Sequence, residues 1–191
     1  MPKARKLTRR RFIQVAASVA AAGPAMSCSQ AAGPWRFLTV EEARTLEALT
    51  GQIVPADQDP GAKEAGVVNF IDRQLCRYLR RYQKAYREGL AGVDETSLAL
   101  ANRRFADLAE EKQLAVLAAL EQNEAPGEIW KRRSARDFFS LVVNHTMQGF
   151  YGDPRHGGNR EGVSWKMLGL PYPPVRGRQL YDLTQPAAKR L

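Results

Sequence analysis

Apolar residues recur along this chain at helical spacing. Val40, Ala43, Leu46, Leu49 and Ile53 share one helical face, which predicts an amphipathic first helix over residues 40–54. Thr39 and Glu42 frame its start as a capping box, in which each side chain can satisfy the other's backbone amide. Pro55, Pro60 and Gly61 stop it, because neither residue type continues a helix well. The spacing returns at Val67, Ile71, Leu75 and Leu79, broadened by Val68 and Phe70, and predicts a second, deeply buried helix. Gly89 and Gly92 predict a bend, with helix resuming from Leu98 to Phe105. Asp107 to Glu110 offers an N-terminal cap for a helix that carries Leu114, Leu117 and Leu120 and ends near Glu121. After a loop from Asn123 to Gly127, the last long helix is expected from about Glu128 to Gln148, with Phe138, Leu141, Val142 and His145 on a common face. No stretch sustains the period-two alternation of a strand. The expected fold is all-α, a small irregular domain of about five helices.

Beyond the last helix the pattern changes. Gly149-Phe150-Tyr151-Gly152-Asp153-Pro154-Arg155-His156-Gly157-Gly158-Asn159, continuing to Trp165, interleaves glycine and proline with aromatics. The glycines and proline argue against a helix interior, while the rings are costly to leave in water. Both facts predict a fixed, irregular loop pressed on an apolar surface. Phe150, Tyr151, Asp153, Pro154, His156, Gly157, Gly158, Asn159 and Trp165 are therefore the candidate partner interface.

The formal charge of +9 changes meaning once it is located. Six of the 29 basic residues lie in the first 27 positions, which hold no acidic residue, leaving 23 against 20 in the remainder. A body so nearly balanced gives little support to nucleic-acid binding. The basic leader contains Thr8-Arg9-Arg10-Arg11-Phe12-Ile13 and then a short, alanine-rich apolar run. It is too short for a membrane span and reads as a twin-arginine export signal over residues 1–27, carried by Arg9, Arg10 and Phe12. Periplasmic delivery is the expected outcome. That route carries folded cargo, which suggests assembly with a cofactor or partner before export. Cys28 directly follows small residues, so lipidation there, ordinary cleavage nearby and retention as an anchor all stay open. Residues 28–37 read as a linker, with Trp35 and Phe37 at the start of the folded domain that runs to residue 191.

Candidate chemistry is sparse. Cys28 and Cys76 lack zinc-ligand spacing; Cys76 reads as a buried thiol or as one half of a disulfide to a partner chain. Arg77, Arg80, Arg81, Lys84 and Arg87 alternate with Tyr78, Tyr82 and Tyr86, which suits an interface or a solvated face with arginine stems over rings. His145, Asp153 and His156 are the nearest thing to a metal or catalytic site, though His145 on an apolar face reads first as a hydrogen-bonded core residue and Asp153 as a turn residue. No nucleotide fingerprint, nucleophile elbow or Cys/His pair is present, so no catalytic, cofactor or metal residues are expected in this chain.

In order, Leu38-Thr39-Val40-Glu41-Glu42-Ala43, Ile53-Val54-Pro55-Ala56-Asp57 with Pro60-Gly61-Ala62, Ala65 to Asp72, Phe105-Ala106-Asp107-Leu108, Gly149 to Pro154, and Gly157-Gly158-Asn159 with Trp165-Lys166 resemble the gluconate 2-dehydrogenase subunit 3 family. The resemblance covers about Leu38 to Pro171, and departs from the family pattern at His156, where tyrosine is expected. It implies a small subunit without its own cofactor, bound to a large FAD-dependent subunit of the glucose-methanol-choline type that oxidises a sugar, sugar acid or alditol. It further implies a cytochrome c subunit as electron acceptor in some complexes, and escort of the folded partner through the twin-arginine (Tat) translocase. Membrane association would come through the complex or a lipid anchor. A free-standing exported metal binder or enzyme using His145, Asp153 and His156, or a lipoprotein scaffold held at Cys28, are the alternatives.

Overall fold

The computed structural model describes residues 34–170. The signal residues Arg9, Arg10 and Phe12, the lipidation candidate Cys28 and the stretch 171–191 lie outside the described residues. Among the described residues there are six α-helices and no strand: α1 Val40–Ile53, α2 Val67–Leu75, α3 Gln83–Ala101, α4 Glu110–Gln122, α5 Ala135–Tyr151 and α6 Val163–Met167. The protein is all-α.

The start of α1 is as expected. The Glu42 amide donates to Thr39 Oγ1 at 3.2 Å, and the Thr39 amide to Glu42 Oε2 at 2.8 Å. Ala43, Leu46 and Leu49 are buried, joined by Thr45 and Thr50, whereas Val40 at the tip of the stripe is exposed. α2 is the interior helix, with Val67, Val68, Phe70, Ile71 and Leu75 all buried. It also buries Asp72, whose carboxylate accepts the amides of Arg36, Phe37 and Leu38 at 2.8–2.9 Å. Three donors on one carboxylate repay its desolvation and strap the entry of the domain to α2.

Three elements differ from the sequence pattern. α2 ends at Leu75 rather than reaching Leu79: the amides of Arg77 and Leu79 both return to the Gln74 carbonyl, at 2.8 and 2.9 Å, and close the helix. Leu79 is buried all the same, carried by a turn that leads into the 3-10 segment Arg80–Tyr82. Secondly, α3 runs without a bend through Gly89 and Gly92, then stops at Ala101, where Asn102 turns left-handed at φ 53°. The two glycines are contact points: a Cβ on Gly89 would enter the Phe138 ring, and one on Gly92 the Trp130 ring. Phe105 then sits in a short 3-10 turn, fully buried. Thirdly, α5 begins at Ala135, capped by the Ser134 hydroxyl, and extends to Tyr151. Residues 128–134 are held on α3 instead: Glu95 accepts the amides of Glu128 and Ile129, and the Trp130 indole donates to Thr96 Oγ1 at 2.8 Å.

α4 starts at Glu110 without a side-chain cap, because its N-cap position is Ala109; Asp107 lies in the preceding 3-10 turn and pairs with Arg44 at 2.8 Å. Its buried face is Gln113, Val116, Leu117 and Leu120; Leu114 is half exposed. α5 buries Phe138, Val142 and His145 as the pattern predicts, and lies against both α2 and α4.

Candidate functional site

The C-terminal segment is built on α2 and the end of α5. Gly149, Phe150 and Tyr151 form the last turn of α5 rather than a loop. Phe150 is 1% exposed and belongs to the core. From Gly152 the chain folds back through two 3-10 turns, Pro154–His156 and Arg160–Gly162, into α6. Gly157 turns with φ 105°, a conformation open to glycine, and Gly158 lies on the Gly149 carbonyl with no room for a side chain.

Polar contacts hold this fold-back in place. Asn69 Nδ2 donates to the Gly157 carbonyl at 2.6 Å, Gln74 Nε2 to the His156 carbonyl at 3.2 Å, and the Arg160 amide to the Ala65 carbonyl at 3.0 Å. Asn159 is wholly buried: its Nδ2 donates to the Gly152 carbonyl at 2.9 Å, and its Oδ1 accepts the Ser164 amide at 3.0 Å. The surface that the glycine-rich run requires is therefore supplied by the chain itself. Phe150, Gly158 and Asn159 are interior and unavailable to a partner without unfolding the segment.

The other candidates form an outward edge. Tyr151 is 42% exposed and stands edge-on to Phe150, and the Trp165 indole, half-buried, donates to the Tyr151 carbonyl at 2.8 Å. His156 is exposed, Pro154 and Gly157 are half-buried, and Leu168 and Leu170 follow at the surface. Asp153 caps the Pro154–His156 turn through the Arg155 amide and holds the Arg155 guanidinium through both carboxylate oxygens, at 2.7–3.0 Å.

The metal or catalytic alternative is not assembled. His145 is 3% exposed inside a cage of rings, stacked on Tyr86 at 5.9 Å and edge-on to Tyr82 at 5.2 Å. Its Nδ1 lies 2.9 Å from the Tyr86 hydroxyl. Burial first, and then the Arg81 charge, lower its pKa from 6.5 to about 4, while burial pushes the Tyr86 phenol up. A phenol that keeps its proton donates to an unprotonated imidazole nitrogen, so the pair is a neutral internal hydrogen bond. His156 and Asp153 belong to the outer turn. Among the described residues no group of three His, Cys, Asp or Glu side chains could hold a metal ion.

The tyrosine series does not share a face. Tyr86 is fully buried, Tyr82 half-buried and Tyr78 81% exposed, because the break after Leu75 rotates them apart. Tyr78 instead overhangs a groove of about 370 Å³ lined by Phe70, Gln74, Leu79, Gln148 and His156. A further apolar strip went unnoticed in the sequence: Phe139, Val143, Met147 and Tyr151 follow one another at four-residue spacing along the outer side of α5. That spacing was the available signal, and the first three line a second groove that also reaches Gln148.

A model of the family described as gluconate 2-dehydrogenase subunit 3 matches residues 40–171, from the first residue of α1 past the end of the described segment. No curated protein and no solved structure shows significant similarity to the chain.

Proposed function

The chain belongs to the gluconate 2-dehydrogenase subunit 3 family, and from that membership we propose that it is the non-catalytic small subunit of a periplasmic, FAD-dependent dehydrogenase complex. In this reading the large subunit is of the glucose-methanol-choline type, holds the FAD and oxidises a sugar, sugar acid or alditol. In some complexes of this kind a cytochrome c subunit accepts the electrons. This chain binds the folded flavoprotein and brings it to the Tat translocase through Arg9, Arg10 and Phe12.

The observation that carries the reading is the family match over most of the chain. The edge of Tyr151, His156 and Trp165 adds to it: aromatic rings held on a braced backbone and left partly in water suit a partner surface. The rigid fold-back means that little entropy is lost when the edge is covered. A role without chemistry of its own accords with His145 being sealed and neutral. Among the described residues no helix is long and apolar enough to cross a membrane, so the proposed membrane association runs through the complex or through Cys28.

The test is export of the partner. With the full-length chain, a flavin-containing polypeptide should co-purify from the periplasm. With Arg9→Lys and Arg10→Lys together, both should stay in the cytoplasm. A flavoprotein that reaches the periplasm regardless, or never accompanies the chain, contradicts the proposal.

A further inference from the structure

The turn between α2 and α3 gathers cations without carboxylates beside them. A number of cations elsewhere are laced to carboxylates, among them Arg44 to Glu41 and Asp107, Arg104 to Glu41, Arg133 to Glu88 and Arg155 to Asp153. Residues 73–87 contain six basic side chains and no acidic one. Lys84 and Arg87 reach Glu88 and Glu42, but Arg77, Arg80 and Arg81 are exposed and form no ion pair with the described residues. Three cations within five residues repel one another, which disfavours the bare turn unless an anion compensates. Arg81 is also held in place, its guanidinium 4.8 Å from the Tyr82 ring centroid.

Beside these charges, Tyr78 is 81% exposed and overhangs the groove floored by Phe70 and Leu79. His156, from the aromatic edge, supplies the opposite wall, so the groove is continuous with the proposed partner surface. Gln148 lines both this groove and the one along the outer face of α5, so the two grooves adjoin.

We propose that the Arg77–Arg81 turn docks an acidic segment of the flavoprotein subunit, with an apolar side chain of that segment seated in the groove under Tyr78. The inference rests on the small-subunit reading and adds where, and with what chemistry, the partner is held. Guanidinium groups bind carboxylates through two parallel hydrogen bonds, and a concave groove accepts one side chain. Anionic headgroups would meet the same charges but leave the groove without an occupant. A protein segment satisfies both features.

The experiment uses the full-length chain and the flavoprotein that co-purifies with it, titrated against each other from roughly 0.05 to 0.5 M NaCl. Combining Arg77→Glu, Arg80→Glu and Arg81→Glu should weaken binding about tenfold or more and flatten its salt dependence. The melting temperature of the chain should fall only slightly, since these exposed side chains make no ion pair with the described residues and Arg81 gives up only its contact with the Tyr82 ring. Tyr78→Ala should weaken binding while leaving the salt slope intact. Undiminished binding of the triple variant at every salt overturns the inference while the small-subunit reading stands. So does a variant that binds the flavoprotein normally but has lost adhesion to phosphatidylglycerol vesicles. A wild-type chain that binds no flavoprotein fails the broader reading and takes this inference with it.

Discussion

Folding lowers the proton affinity of His145. In the open chain its imidazole titrates at 6.5; folded beside Tyr86 it titrates at about 4. The folded state thus binds fewer protons than the unfolded one between those values, and stability rises with pH across that window. The contribution is complete above 6.5 and is lost as pH falls through about 4. It amounts to roughly 3 kcal/mol. Denaturant unfolding of wild type between neutral pH and about pH 4 should show that loss, and His145→Gln should remove this part of the slope; an identical slope in the variant contradicts the assignment. Asn159 makes a different case. It binds the Gly152 carbonyl and the Ser164 amide at a positive φ of 42°. Asn159→Ala strands both groups and should cost about 2–4 kcal/mol in denaturant unfolding of the isolated chain. Trp165→Ala, at a half-exposed position, should cost less stability and more partner affinity. Read from the sequence, the two looked alike as contact residues, because a buried asparagine that braces a turn and an exposed one that meets a partner have the same letter.

At the scale of elements, α3 shows why some of the fold was legible and some was not. Gly89 and Gly92 suggested a bend because glycine costs a helix roughly 1 kcal/mol against alanine. The helix nevertheless continues through both positions, and the rings of Phe138 and Trp130 occupy the space that side chains there would fill. Gly89→Ala should therefore lower stability by about 1–3 kcal/mol despite the gain in helix propensity, and Phe138→Leu in the same chain should recover part of it. A rise in melting temperature for Gly89→Ala would show that the ring contact is dispensable. The signals that read correctly were local ones: the Thr39–Glu42 capping box and the faces of α1, α2 and α5 depend on spacing within a few residues. Others misled, some because they are decided across the fold and one because a local closure leaves no trace in residue type. The start of α5 is displaced to Ala135 because Glu95 and Thr96, some thirty positions earlier, hold residues 128–130 on α3. The Tyr78, Tyr82, Tyr86 series suggested one face because the closure of α2 on the Gln74 carbonyl has no marker in residue type.

For the molecule as a whole, the glycine-rich segment has two sides with different duties. Its inner side, through Phe150, Gly158 and Asn159, completes the domain against α2. Its outer side, through Tyr151, His156 and Trp165, continues into the groove beneath Tyr78 and the arginine turn. The glycine and aromatic content announced that the segment must be pressed on a surface; which residues faced inward depended on where α2 and α5 lie. On the proposed function, that outer face is covered by a flavin-bearing companion. Size-exclusion chromatography with light scattering, monitored at the flavin absorbance band, tests it most directly on full-length chain expressed with its co-purifying flavoprotein. The expected result is one species whose mass is the flavoprotein plus the 21.3 kDa chain, less any cleaved leader, with flavin absorbance under the same peak. Separate elution of an intact, active flavoprotein and a monomeric chain would contradict it.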